Sequence, residues 1–285
     1  MTADYREAAR TAQDYYDSAD ADAFYAAVWG GEDIHVGLYE DPAEDIKEAS
    51  ARTVREMAAR LPKLTEDMGV LDIGAGYGGA ARYLAKTFGV HVTCLNLSGK
   101  ENARNRTLNE EQGLVDKIEV VHGSFEDIPF PEALFDVVWS QDAILHSGAR
   151  ERVVHEVARV LKPGGHFIFT DPMQADGADD ETALQPIYER IHLPDLGSIG
   201  FYRAVAKRAG LEEVEITDLT HQLRNHYNRV REVLIEKRDT LKGQISQDYI
   251  DRMIRGLKHW VDGADAGQLS WAIMHFRKPD RAKAL

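Results

Sequence analysis

The chain of 285 residues carries a single cysteine, Cys94. A lone thiol closes no internal disulfide, and its place in an apolar, strand-like run reads as a small core residue in a reducing compartment rather than a nucleophile. Long apolar runs are also missing. Stretches such as Phe135 to Trp139 and Phe167 to Phe169 are far too short to cross a bilayer, and Met1-Thr2-Ala3-Asp4-Tyr5-Arg6-Glu7 lacks the basic and apolar regions of a signal peptide. A soluble cytoplasmic protein is expected. Positive charge is scarce as well: 34 Lys and Arg face 48 Asp and Glu, for a formal net charge of −14. A phosphate backbone needs clustered cations, so nucleic acid is not an expected partner. A small molecule is, with the chain acting as a monomer or weak homo-oligomer and using no metal. Arginine outnumbers lysine by 22 to 12. An acidic, lysine-poor surface suits a salt-rich cytoplasm, where screening removes self-repulsion, and it equally suits an ordinary acidic enzyme.

What the chain does have is the run Val70-Leu71-Asp72-Ile73-Gly74-Ala75-Gly76-Tyr77-Gly78-Gly79, an apolar strand ending in an acid and breaking into glycines. Gly74 and Gly76 let the backbone turn tightly against a ligand, and a helix is predicted from Ala80 to Phe88, its N-terminal amides turned towards the same place. Read as Gly74-x-Gly76-x-x-Gly79, the glycines alone leave nicotinamide and flavin cofactors open. Asp72 argues differently. A pyrophosphate gains nothing from a carboxylate beside the turn, whereas a cationic ligand such as S-adenosylmethionine does.

Further elements follow in a telling order. A second strand, Val90 to Leu95, runs into Asn96-Leu97-Ser98, twenty residues after Gly76, where a ribose-binding side chain is expected. Here that side chain is an amide, which forgoes a charge-assisted bond and predicts a weaker contact. Ile118 to Val121 gives a third strand, followed by Gly123-Ser124-Phe125-Glu126-Asp127-Ile128-Pro129, in which Phe125 is a candidate to pack on an adenine ring and the Ser124 or Phe125 amide to read its edge. Phe135 to Gln141 gives a fourth strand. Leu161-Lys162-Pro163-Gly164-Gly165 then turns the chain from a helix into a fifth.

This ordered set resembles the class I methyltransferases. The resemblance implies an α/β, Rossmann-like fold, with a seven-stranded, mostly parallel sheet flanked by helices, an N-terminal lid and a substrate insertion after strand five. One domain spans 1–285 in that reading: lid and helix over 1–62, cofactor core over 63–171, and insertion plus the C-terminal half of the sheet over 172–285. The lid would draw on Tyr15-Tyr16-Asp17, Tyr25, Trp29 and Ile34-His35-Val36-Gly37, followed by an amphipathic helix from Pro42 to Leu61.

More discriminating strings lie outside the general motifs. Trp139-Ser140-Gln141-Asp142-Ala143-Ile144-Leu145-His146-Ser147, Thr170-Asp171-Pro172-Met173, Gln185-Pro186-Ile187, Gly197-Ser198-x-Gly200-x-Tyr202-Arg203 and Arg255-Gly256-Leu257-x-His259-Trp260 resemble the sarcosine/dimethylglycine N-methyltransferases, which make glycine betaine. Phosphoethanolamine, sterol and tocopherol methyltransferases share the cofactor motifs, and a non-catalytic S-adenosylmethionine sensor would keep the glycine loop.

The expected chemistry is in-line methyl transfer, in which alignment and desolvation carry most of the work. Expected cofactor contacts are Trp29, Asp72, Gly74, Ala75, Gly76, Asn96, Leu97, Ser124, Phe125 and Gln141. Gln141 and His146 are the catalytic candidates, His146 as acceptor of the proton that sarcosine sheds. Arg203 is expected to hold the substrate carboxylate in a bidentate pair, with Tyr202 adding a hydrogen bond, Met173 an apolar wall and Tyr25 an aromatic face.

Overall fold

The computed structural model describes residues 19–29, 31–178, 181–191 and 195–280. The Tyr15-Tyr16-Asp17 part of the expected lid lies outside them. In chain order the elements are α1 (Ala19–Phe24), which continues into a π-helical turn over Tyr25–Trp29, then α2 (Ile46–Arg60), β1 (Gly69–Ile73), α3 (Gly79–Phe88), β2 (His91–Asn96), α4 (Gly99–Glu111), β3 (Ile118–His122) and β4 (Phe135–Gln141). A 3-10 turn over Ile144–His146 leads to α5 (Arg150–Val160), β5 (Leu161–Gln174), α6 (Glu181–Ile191), α7 (Ile199–Arg208), β6 (Glu212–Asp218), α8 (Thr220–Glu236), α9 (Gln247–Asp265) and β7 (Leu269–Arg277).

The strands form one sheet in the order β3-β2-β1-β4-β5-β7-β6. β7 runs antiparallel to both β5 and β6, while β1 to β5 pair in parallel, as the class I resemblance implies. The order reverses between β1 and β4. A crevice therefore opens beyond their C-terminal ends, where open α/β sheets take their ligands.

Strand alternation sorts the core into two layers. Val70, Val92, Val137, Trp139 and Ile168 face α2 and α3, with Leu223 and Trp260 joining them. Leu71, Ile73, Val138, Phe167 and Phe169 face α5 and α7 through Val153, Val157, Tyr202 and Val205. Central strands covered on both faces read as continuous apolar runs, which is why Val137-Val138-Trp139 shows no polar alternation. Cys94 is fully buried in β2, and burial pushes its thiol pKa up. It sits as a core residue.

α2 begins later than its apolar stripe suggests. Asp45 is the N-cap, its Oδ1 accepting from the amides of Lys47 and Glu48 at 2.9 and 3.4 Å, while Asp41 draws the preceding residues into a turn by accepting from Ala43 N at 2.8 Å. The cap, rather than Pro42, sets the helix start. Among the described residues no helix is long and apolar enough to cross a membrane.

Candidate functional site

β1 stops at Ile73 because Gly74 enters the left-handed region with φ +73°. Its amide still reaches Leu95 O at 2.8 Å, so the turn is bound to the end of β2 while the chain swings towards α3. Across the switch point, β4 ends at Gln141, and Asp142 itself adopts φ +49°, a conformation that L-residues other than Asn and Asp rarely take. Two adjoining lobes open between these turns. The larger holds about 720 Å³ of space continuous with solvent and is lined by Gly74, Gly76, Asn96, Leu97, Ser98, Glu101, Ser124, Phe125, Glu126, Gln141, Asp142, Ala143, His146 and Ile34. The smaller, of about 310 Å³, is lined by Glu32, Asp33, Ile34, His35, Asp72, Gly74, Ala75, Gly79, Ala80 and Gln141.

Among the described residues neither lining contains an arginine or lysine. The smaller lobe gathers Asp33, Asp72 and Glu32 around a single ring, His35. Burial pushes the Asp72 carboxyl up to about 7, with His35 pulling it down and Asp33 pushing it further up. Burial also opposes charge on His35, yet Asp33, Asp142 and the Val36 carbonyl outweigh it and raise the ring's pKa. His35 Nε2 stands 3.5 Å from Asp33 Oδ1, longer than a good hydrogen bond, so the pair holds together by charge.

Gln141 sits where the lobes meet. Trp139 Nε1 donates to its Oε1 at 3.0 Å. An indole N–H only donates, which fixes the amide orientation and leaves Nε2, buried and without a hydrogen-bond partner among the described residues, as the group the site presents. A buried carboxyl with a raised pKa beside an unpaired amide donor suits a ligand bearing both a cation and a carboxylate.

Asp142 ties three distant segments together. Its Oδ2 accepts from Val36 N at 2.6 Å and its Oδ1 from Trp271 Nε1 at 2.8 Å. Burial raises its pKa, while His35 and these donors pull it down. The Ile34–Val36 stretch is thereby held over both lobes. Trp29 strengthens the hold, donating from Nε1 to His35 O at 3.2 Å.

A family model for a methyltransferase domain matches residues 71–169. Curated relatives align almost end to end. The sarcosine/dimethylglycine N-methyltransferase of Aphanothece halophytica is 53% identical over 95% of this chain and 98% of its own, and the dimethylglycine N-methyltransferase of Parasynechococcus marenigrum is 51% identical over 93% and 94%. The chain belongs to the sarcosine/dimethylglycine N-methyltransferase family. The crystal structure of a provisionally assigned sarcosine dimethylglycine methyltransferase from Galdieria sulphuraria superposes with a TM-score of 0.88 at 46% identity, covering 94% of this chain and all of the other.

In this N-methyltransferase family member the expected cofactor residues Gly74, Gly76, Asn96, Leu97, Ser124, Phe125 and Gln141 line the larger lobe, and Asp72 and Ala75 line the smaller. His146 lies in the larger lobe, at the end of the 3-10 turn. Trp29 and Tyr25 are buried in an aromatic cluster with Phe24 and Tyr249 and line neither lobe.

Like Tyr25, the other three expected substrate residues line neither lobe. α7 turns Tyr202, Val205 and Ala206 into the core, so Arg203, the next residue round, faces the edge strand β6. There it pairs with Glu213 at 2.6 Å, half exposed and away from both lobes. Tyr202 is fully buried and donates from its hydroxyl to Asp171 Oδ2 at 2.6 Å. Met173 faces the same core as Phe167 and Phe169, because side chains two apart on a strand share a face. Tyr202 still bears on the site at one remove: Asp171 Oδ1 accepts from Leu145 N at 2.9 Å, which steadies the turn carrying His146.

Arg203→Ala is accordingly expected to leave steady-state kinetics within about twofold of wild type and to cost at most roughly 1 kcal/mol of stability, since an exposed ion pair contributes little. A large rise in KM for the amine substrate would overturn this placement. His35, Glu101 and Asp142 join the expected cofactor residues in the linings: His35 and Asp142 stand inside strings noted in the sequence but carry no role of their own there, and Glu101 is not singled out.

Proposed function

We propose that the chain transfers methyl groups from S-adenosylmethionine to sarcosine and N,N-dimethylglycine, ending in glycine betaine, and that it does so in the cytoplasm as a monomer or weak homo-oligomer. The observation that carries this reading is identity of 51–54% with relatives of that named activity, over 93–96% of the chain. A net charge of −14 fits a partner that is neither nucleic acid nor an anionic membrane. The absence of Lys and Arg from both linings also argues against a phosphorylated amine such as phosphoethanolamine.

In this reading the larger lobe takes the adenosine, with Phe125 against the ring and Asn96 and Leu97 beside the ribose. The smaller takes the amino-acid end, where Asp72 meets an ammonium and His35 and Gln141 Nε2 meet a carboxylate. Bound S-adenosylmethionine supplies the electrophilic methyl group. The protein's share is alignment and exclusion of water: Asp142 holds Val36 and Ile34 over the lobes, and Trp139 holds Gln141 in one orientation. No residue need act as a nucleophile. His146 is the proton acceptor: both amines are ammonium ions in neutral water, and each sheds one proton to free the lone pair that attacks, dimethylglycine then giving a quaternary product.

Mass spectrometry after separate incubation of the protein and S-adenosylmethionine with glycine, sarcosine and dimethylglycine tests the activity. Betaine from dimethylglycine is expected, and no methylated product from any of the three would overturn the reading. His146→Asn should slow turnover of both substrates roughly tenfold or more near neutral pH, with the loss shrinking as pH rises towards the pKa of the amines. A loss that stays the same at every pH would reject the base role.

A further inference from the structure

The end of β2 offers Asn96 where a ribose-binding acid is expected. The structure places a carboxylate beside it all the same. Glu101, on the first turn of α4, is only 4% exposed, lines the larger lobe with Asn96, Leu97 and Ser98, and accepts from Asn96 Nδ2 at 2.8 Å through its Oε2. We propose that Glu101 is the residue that receives the ribose hydroxyls of the cofactor, and that Asn96 is the group that aims it. This rests on the reading of the larger lobe as the adenosine site.

The chemistry favours the pair over the amide alone. A ribose diol brings two O–H donors, and an amide meets them with a single neutral oxygen whose two lone pairs would have to serve both. A carboxylate accepts both, with the added strength of its charge. The local fold holds it in place: Ser98 caps α4 by accepting from Glu101 N at 3.1 Å, and Asn102 Nδ2 donates back to Asn96 O at 3.0 Å. The end of β2 and the first turn of α4 are thus tied at two points, and the Ser98 cap steadies that turn. The positive end of the α4 dipole offsets part of the cost of burying the acid. The bland alternative, an acid that merely complements the helix terminus, does not require it to line the cavity or to engage Asn96.

The two views diverge sharply for Asn96→Asp. If Asn96 were a weakened ribose acid, aspartate would restore the missing charge and tighten binding. With Glu101 in that role, aspartate puts a second carboxylate within hydrogen-bond distance of the first, and the two repel unless one takes up a proton. Weaker binding follows.

Calorimetric titration of the purified chain with S-adenosylhomocysteine, and with the same molecule lacking its ribose 2′- and 3′-hydroxyls, reads both effects without turnover. Glu101→Gln, close in shape to the original, is expected to raise the Kd for S-adenosylhomocysteine roughly tenfold or more, while the Kd for the dideoxy ligand moves less than about twofold. Asn96→Asp should also raise the Kd for S-adenosylhomocysteine. Equal losses of both ligands in Glu101→Gln, at an unchanged unfolding midpoint, would make Glu101 a structural residue and overturn the proposal. Tighter binding by Asn96→Asp would overturn it too. A wild-type chain that binds neither ligand would overturn the cofactor reading, and this proposal with it.

Discussion

Asp72→Asn is expected to weaken S-adenosylmethionine binding by roughly 10- to 150-fold, the loss of one charge-assisted bond in a buried site. Asp72 is the last residue but one of β1 and lines the smaller lobe, with no lysine or arginine among the described residues of that lining to balance it. Its carboxyl is pushed up from 3.8 to about 7, chiefly by burial. In the free protein it therefore holds a proton at pH values where the unfolded chain has released it. Its contribution to stability is fully present below about pH 4 and is lost as pH rises through about 7. A cationic ligand reverses the preference, because it favours the ionised form.

Two consequences can be measured together. Affinity for S-adenosylmethionine should climb between pH 6 and pH 8, and binding near pH 6.5 should expel a proton, visible by calorimetry in buffers of different ionisation enthalpy. In Asp72→Asn both the climb and the proton release should vanish, while the ligand-free variant becomes more stable than wild type above pH 7. A flat affinity in the wild type over that range would sink the argument, whatever the variant does.

The second large effect concerns the turn itself. At Gly74 φ is +73°, and a Cβ built there would lie 2.3 Å from the Cβ of Ala143. Strain and overlap add, so Gly74→Ala should cost roughly 2–4 kcal/mol. The clash is with the segment just after β4, and relieving it displaces the turn that carries His146. Cofactor binding should fall below calorimetric detection along with the drop in unfolding midpoint. Gly99→Ala serves as the control, since nothing lies within 4 Å of its added Cβ and its φ is ordinary. Wild-type midpoint and affinity in Gly74→Ala would show that the turn yields more easily than its packing implies.

The glycine turn, the ends of β2 and β4 and the Ser124-Phe125 part of the cavity wall were legible in the sequence because each is a local signal: a backbone that only glycine adopts readily, or a strand cut off by a polar residue. The substrate side was not. Arg203 and Tyr202 are neighbours in the chain, yet α7 sends one to solvent and the other into the core, a choice made by packing against β5 rather than by any local pattern. Met173 lies on a strand buried on both faces, whose apolar run does not say which face meets the cavity. Glu101 escaped notice because its meaning depends on a side chain five residues earlier, at the end of a different element. Asp142 stood inside a string noted in the sequence, but its tying role was not legible there because a left-handed aspartate has no sequence signature of its own.

The carboxylate of Asp142 takes one hydrogen bond from a residue 106 positions upstream and another from one 129 positions downstream. During synthesis on the ribosome the first partner is already waiting, but the second belongs to the final strand. Until Trp271 has emerged and β7 has slotted between β5 and β6, Asp142 lacks its indole donor and the sheet lacks the strand that joins those two. Long-range pairings of this kind form late. Ligand affinity in this chain thus reports on completed translation, and fragments that end before residue 271 should compete poorly for the metabolite that the finished protein uses.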